Sequence, residues 1–267
     1  MCTALFVMAG IVAFVPMVIS QPSTESGTAA LALAGSITAR DGLHYSRWNP
    51  ASAERVDRIL VANCRASTGG LVGVIDGFII AVEPIDSTLS IACSIGGFGY
   101  GPYSLVEVSA GASMVATGDL AIGGAMRIDV QSISKYGTSA ALMFDVGMLA
   151  QLSLVTRLGV VARNIARARR RGIALPQQLA MGFGLELSDS VSVSLDAIHE
   201  AGRGIGVSTG VEAHIAQRLR ARFGLSLDAP MLAFGIGYHD GTLGVNLASS
   251  WNAATGTMHS AGVEMRW

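Results

Sequence analysis

The sequence predicts an all-β protein: a transmembrane antiparallel β-barrel of about fourteen strands, with twelve as the alternative count, and a short N-terminal plug segment. Three observations predict it. The run from Asp119 to Gln131 sets Leu120, Ile122, Met126, Ile128 and Val130 in one phase of a two-residue period, against Ala121, Gly123, Ala125, Arg127, Asp129 and Gln131 in the other. Successive strand side chains point to opposite faces, so the segment has one greasy face and one that is small, then charged. The second observation is what fills the other phase. A sandwich strand turns a face rich in Lys, Glu and Thr to water, whereas here that phase is mostly Gly, Ala and Ser, and the only lysine in the chain is Lys135. The third is bulk composition. With 51% hydrophobic residues, 33 glycines and 14% charged residues among 267, the chain is unusually greasy for a soluble domain. Its mean hydropathy is +0.49. Yet beyond residue 20 no stretch reaches the roughly 18 apolar residues that a spanning helix needs, and hydrocarbon leaves only a closed barrel as the other way across.

In chain order, Ala4 to Ile19 is a nearly unbroken apolar run that ends in Val18-Ile19-Ser20 and gives way to the polar QPSTESGT. Residues 1–20 are read as a secretory signal cleaved near Ser20. Because the run has no preceding Lys or Arg, an anchored helix is the alternative. Cys2 precedes the apolar run, which argues against a lipoprotein site.

Residues 21–55 form the expected plug. Trp48-Asn49-Pro50 interrupts any strand ladder, and Ala29 to Ala53 reads as a small folded segment. Gly35 to Ala39, Asp41 and Trp48-Asn49-Pro50-Ala51 resemble the opening signature of FadL-like outer-membrane barrels, especially the smaller PorV-type and UPF0164-type members. The likeness continues in LGVVARNI (158–165) and from Leu175-Pro176-Gln177 through Leu185. Two departures stand out: Ser36 occupies the place of the second glycine, and the acidic pair is reduced to Asp41 before Gly42. The FadL-type resemblance implies passage of hydrophobic small molecules through a plugged barrel. The PorV-type resemblance implies a non-transporting accessory or scaffold for secreted proteins or envelope assembly.

Residues 56–267 supply the barrel. Strands are expected near 56–64, 71–82, 88–98, 105–115, 119–133, 137–149, 152–165, 177–187, 191–199, 204–214, 219–227, 231–238, 242–249 and 257–267. If the first runs outward, one set of turns is uniformly short and the two longest links, 166–176 and 250–256, fall on the outside, as bacterial barrels require. Aromatics gather at strand ends (Phe98, Tyr100, Tyr103, Tyr136, Tyr238, Trp251, Trp267), where interface girdles belong. Trp267 closes an alternating apolar series, and we read it as an assembly signal for the outer-membrane assembly machinery; the alternative is a strand that ends in Trp by chance. Cys64 and Cys93 fall two strands apart, roughly 10 Å and too far for a disulfide.

The ions expected to face the lumen are Arg127, Asp129, Asp145, Arg157, Asp196, Glu212, Arg220 and Arg222, since an arginine turned to lipid at mid-membrane costs about 2–4 kcal/mol. They either pair to hold the interior shut or line a solute path; the mixture of signs favours pairing. Arg163, Arg167, Arg169, Arg170 and Arg171 crowd the longest outer link and its approach, where they either grip lipopolysaccharide phosphates or form a solvated loop. Net charge is −1 and no aromatic platform accompanies the arginines, so no nucleic-acid partner is expected. His44, His199, His214, His239 and His259 lack ligand spacing, and no nucleophile elbow or phosphate loop is present. No metal, cofactor or catalytic residue is expected. The expected partners are outer-membrane lipid and lipopolysaccharide, the assembly machinery, and either hydrophobic small molecules or secreted proteins.

Overall fold

The computed structural model describes residues 27–42, 46–53, 57–68, 73–227 and 230–267. The signal read over residues 1–20, the plug margins at 21–26 and 54–55, and His44 lie outside them.

The first seven strands run in order: β1 (Ile59–Ser67), β2 (Ile75–Pro84), β3 (Leu89–Tyr100), β4 (Tyr103–Thr117), β5 (Leu120–Ile133), β6 (Gly137–Ser153) and β7 (Thr156–Arg163). The link that follows carries a small two-stranded ribbon, β8 (Arg169–Arg170) with β9 (Ile173–Ala174). Seven more strands complete the wall: β10 (Gln178–Ser188), β11 (Val191–Glu200), β12 (Gly204–Ala216), β13 (Leu219–Ser226), β14 (Met231–His239), β15 (Leu243–Asn252) and β16 (Gly256–Arg266). Without the ribbon these are fourteen strands in one closed barrel, the higher of the two expected counts. β1 pairs with β2 (Ile59↔Val82) and with β16 (Ile59↔Arg266), so the sheet has no free edge and its ladder groups are satisfied internally.

The alternation that predicted β5 is realised in space. Ile122, Met126, Ile128 and Val130 are exposed on the outer surface, while Arg127 and Asp129 are buried within. The barrel strands other than β7, whose outward Leu158 and Val160 are half-buried, present exposed apolar side chains in the same outward phase, an inverted hydrophobic pattern that water does not tolerate and hydrocarbon does. Cys64 and Cys93 are free and exposed on strands that flank β2. Among the described residues no helix is long and apolar enough to cross a membrane.

The start of β1 and the end of β16 share one end of the barrel, here the terminal end; the opposite one is the loop end. Turns at the terminal end are short, at 85–88, 118–119, 154–155, 189–190, 217–218 and 240–242. Asp86 shapes the first by accepting from Thr88 Oγ1 (2.7 Å) and from the Thr88 and Leu89 amides (2.7 and 2.9 Å). These bonds, the Thr88 hydroxyl first, hold its carboxyl below the usual range. The loop end carries the longest link, 164–177.

Three expectations change. β6 runs through Ser153 and turns at 154–155, where the sequence reading turned it at 150–151. Leu152, Leu154 and Val155 look like strand residues, but a turn at a membrane surface exposes apolar side chains without penalty, and Leu154 is 97% exposed. The link expected at 250–256 shrinks to 253–255, because Asn252 Oδ1 accepts from the Ala254 and Thr255 amides (2.8 and 3.2 Å) and folds the chain back at once. Arg163 does not belong to the surface basic cluster. It is buried, with Nε 3.5 Å from Asp145 Oδ2, because it sits on the inward phase of β7 with Val161.

Candidate functional site inside the barrel

The interior is occupied by the chain's own residues 27–42 and 46–53. A short helix, α1 (Thr28–Ala32), lies against β13–β16 and β1. It ends in a tight reversal: Ala34 and Gly35 take left-handed φ of 52° and 81°, and the Gly35 amide donates to Ala30 O at 2.9 Å. Gly35 therefore answers a backbone requirement. Ser36 is fully buried, and its carbonyl accepts from Ser194 Oγ at 2.8 Å. The segment then passes over β10 and β7 and finishes in a 3-10 turn, Pro50–Ala53, packed on β3–β6. Leu33, Ile37, Trp48, Val161, Ala180 and Ala30 form the main buried cluster, so the apolar core of this protein lies between the segment and the wall. Complete burial of Leu33 and Ile37 contributes about 1.5–3 kcal/mol each.

Two side chains fix the middle of the segment. Asp196 of β11 is wholly buried, and its Oδ2 accepts from the Ile37 and Thr38 amides at 2.8 Å each. Asn49 donates through Nδ2 to Thr38 O (2.8 Å) and Met148 O (3.2 Å), and its Oδ1 accepts from the Ala51 amide at 3.0 Å. Trp48 Nε1 donates to Thr38 Oγ1 at 2.8 Å while Arg163 lies 4.9 Å above its ring. The Trp48-Asn49-Pro50-Ala51 motif thus works as an internal staple that joins both halves of the segment to β6.

The wall makes room for this chain with glycine. A Cβ on Gly123 would lie 2.5 Å from Pro50 C, one on Gly159 2.0 Å from Thr38 O, and one on Gly224 2.3 Å from Leu33 C. Those obstacles are backbone atoms, so only glycine permits the approach.

Ion pairs fill the remaining volume in two groups. Toward the loop end, Glu107 pairs with Arg47 and with Arg127 (3.3 Å), and Arg127 and Arg163 both meet Asp145 (3.3 and 3.5 Å). Arg65 pairs with Asp76 nearby. Toward the terminal end, Glu212 pairs with Arg222 and Arg40 (3.6 Å), and Arg222 Nη1 donates to Asn246 Oδ1 at 2.7 Å. Arg157, part-buried, bonds Gln151 Oε1 at 2.9 Å and lies 3.9 Å from Glu186. Arg220 and Asp41 line a polar cavity of about 280 Å³ that Arg40, Glu212 and Arg222 also border. All eight ions expected inside are on the inner face. Sequence reasoning missed Arg40, Arg47, Arg65, Asp76 and Glu107; for the last, the signal was present, since Glu107 shares a phase with Ser109, Gly111 and Ser113 against outward Val106 and Val108. Removing one partner of such a buried pair costs about 3–5 kcal/mol.

The arginine-rich link is less free than its composition suggests. Arg170 turns into the barrel mouth and meets Asp129 at 3.2 Å. Arg171 donates to Tyr136 O (2.6 Å) and Arg167 to Gln177 Oε1 (2.8 Å). Asn164 organises the link. Its Nδ2 donates to the Leu175 and Pro176 carbonyls (3.0 and 3.1 Å), and its Oδ1 accepts from the Ala168 amide at 2.8 Å. This is the physical content of the spaced Arg163-Asn164 and Leu175-Pro176 pattern. Asn164→Ala is expected to speed tryptic cleavage within 167–171 at least tenfold while shifting barrel stability by no more than about 2 kcal/mol. Asn164→Gly, which relieves the left-handed φ of 52° without restoring the bonds, should be cleaved as fast; protection in both would show that Asn164 does not order the link.

Among the described residues no three His, Cys, Asp or Glu side chains converge as a metal site. No protein-family model matches the chain, and no curated protein matches it. Its fold is similar to that of a Pseudomonas aeruginosa FadL homologue, at 11% identity over 90% of this chain and 98% of that one, with a TM-score of 0.68. The Pseudomonas putida toluene transporter TodX is similar at 11% identity over 90% of this chain and 96% of its own, also with a TM-score of 0.68. The Acinetobacter baumannii outer membrane protein Omp33 follows at 8% identity over 79% and 98%, with a TM-score of 0.55. The chain therefore has the fold of a transmembrane β-barrel. Within that class its fold is FadL-like.

Proposed function

We propose that the protein is a plugged outer-membrane barrel that passively transports hydrophobic small molecules, with residues 21–55 as the plug and 56–267 as the conducting wall. The observation that carries this reading is the seated segment: a separate piece of chain fills the interior and rests on a glycine-lined wall, fixed by a few buried hydrogen bonds. Such a piece closes a barrel to water yet shifts without breaking the wall. The two most similar folds described above include a protein named as a toluene transporter, and we extend that hydrophobic class to this chain. Short turns at the terminal end face the periplasm in this reading, the 164–177 link faces outward, and Arg167 and Arg169 meet lipopolysaccharide phosphates. The exposed Trp267 is the signal read by the assembly machinery.

A second reading, a PorV-type non-transporting scaffold for secreted proteins or envelope assembly, is favoured by the polar character of the remaining interior, whose larger cavity is only about 280 Å³. Liposomes holding the purified full chain separate the two. Transport predicts faster uptake of a fatty acid or monoaromatic hydrocarbon than in empty liposomes, and deletion of 27–53 should raise ionic conductance severalfold. Unchanged uptake and conductance, with secreted proteins recovered on the intact barrel, would overturn transport.

A further inference from the structure

The outward face is apolar from strand to strand, and its polar side chains mostly sit beside turns. One pair departs from that rule. Ser249 of β15 and His259 of β16 are direct cross-strand partners, and Ser249 Oγ lies 3.1 Å from His259 Nδ1 on the outer surface. Trp251, half exposed on the same face, stands two residues nearer the loop end of β15, and Leu247 and Ala261 lie two residues deeper. Trp marks the membrane interface, so the pair sits just inside it, at the level where a lipid's acyl linkages begin. Glu83 and His199, the other carboxylate and imidazole on the outward face, sit next to strand ends; among the described residues of these two kinds His259 reaches deepest. An ionisable group facing lipid is costly and calls for a functional reason.

The surface beneath the pair supplies one. A groove of about 870 Å³ runs along the outside of the wall, floored by small side chains at Ala66, Ala221 and Ala261 and edged by Phe234 and Leu247. Ser249 and His259 border it and bond to each other on its outer side, whereas Arg65 and Ser260, which also line it, are buried and engaged with Asp76 and with Thr28 and Asn63. With Nδ1 engaged by Ser249, Nε2 is the ring nitrogen left to meet a ligand. An apolar trough with one hydrogen-bonding pair at its interfacial end matches an acyl chain that carries a carbonyl at its head. The groove's arginine, Arg65, is buried and already paired with Asp76, so the imidazole beside it suits a neutral ester or amide better than a phosphate.

We propose that this groove binds one lipid A molecule of the outer leaflet, with an acyl chain along Ala66, Ala221 and Ala261 and its ester or amide carbonyl hydrogen-bonded by His259. Lipid A is the committed occupant because the pair lies toward the loop end, which our reading turns outward to the lipopolysaccharide leaflet. The assignment rests on that orientation and not on transport. It is also remote from the arginine-rich link, since β7 and β10 stand across the barrel from β1, β15 and β16.

Native mass spectrometry of the full chain, delipidated in mild detergent and titrated with purified lipid A or with phosphatidylethanolamine, tests it. Wild type should retain one lipid A, and His259→Leu should weaken retention at least tenfold while keeping heat-modifiable gel mobility, because leucine belongs on a lipid-facing surface. Ser249→Ala provides a second variant should His259→Leu fail to fold, with the same direction expected. Equal retention by wild type and both variants would reduce the groove to ordinary lipid solvation and overturn the proposal. So would preference for phosphatidylethanolamine over lipid A.

Discussion

Gly224→Val is expected to keep the N-terminal segment from seating and, in most molecules, to stop the barrel from reaching its compact, heat-modifiable form. Even a single added Cβ would stand 2.3 Å from Leu33 C, 2.4 Å from Ala34 N and 2.8 Å from Leu33 Cα. All three atoms are backbone, so no side-chain rotation relieves the overlap; either the segment leaves or β13 bends. Bending is opposed by two full ladders, since Gly224 pairs with Gly210 on β12 and Ala233 on β14. Overpacking a well-filled core ordinarily costs about 1–3 kcal/mol, and a clash of a fixed Cβ against backbone atoms belongs above that range. The readout is trypsin. Arg40 and Arg47 are the segment's own cleavage sites, Arg40 buried and Arg47 with little of its side chain exposed. N-terminal sequencing of fragments should show cuts at both in Gly224→Val and at neither in wild type. Gly99→Ala is the control: nothing lies within 4 Å of a Cβ there, and its effect should stay within about 0.5 kcal/mol. Protected Arg40 and Arg47 in Gly224→Val would mean that the segment does not depend on the wall's glycines.

The same residues show how far sequence reaches. The phase of β5 was legible because two environments, hydrocarbon outside and a crowded interior, write two different alphabets on alternate positions. That phase also places Gly123, Arg127 and Asp129 inside. What it leaves out is the partner. Gly123 reads as a small inward residue, but its contact with Pro50 joins positions far apart in the chain, which no local pattern encodes. Ile198 shows the converse: it shares the inward phase of Ser194 and Asp196 and packs on the Leu33, Ile37 and Trp48 cluster, an apolar residue turned inside because the segment has its own greasy side. Arg163 was grouped with its arginine neighbours by composition, and strand phase overruled composition. The turn at 154–155 escaped because turn prediction leans on polar and glycine signals, and a membrane surface removes the need for them.

Asp196 is the position where these strands of argument meet. As an inward acid it reads as one ion among eight, yet among the described residues it forms no salt bridge and instead accepts two backbone amides of the segment at 2.8 Å. Replacement by alanine strands both N–H groups in a site where Asp196 itself has no solvent exposure, at about 1–3 kcal/mol each. The loss propagates, because Thr38 also receives the Trp48 and Asn49 bonds that tie the segment's second half to β6. Asp196→Ala is therefore expected to free residues 33–42 first, exposing Arg40 to trypsin and raising conductance in planar bilayers severalfold, while the fourteen-strand wall and its gel mobility persist. Asp196→Asn keeps an accepting oxygen without the charge and should fall between. Salt should not reproduce the effect, since buried bonds are little screened, whereas exposed ion pairs are. If Asp196→Ala leaves Arg40 protected and conductance unchanged, the glycine-lined contact surface alone retains the segment, and its release in the proposed transport would require the wall to move as well.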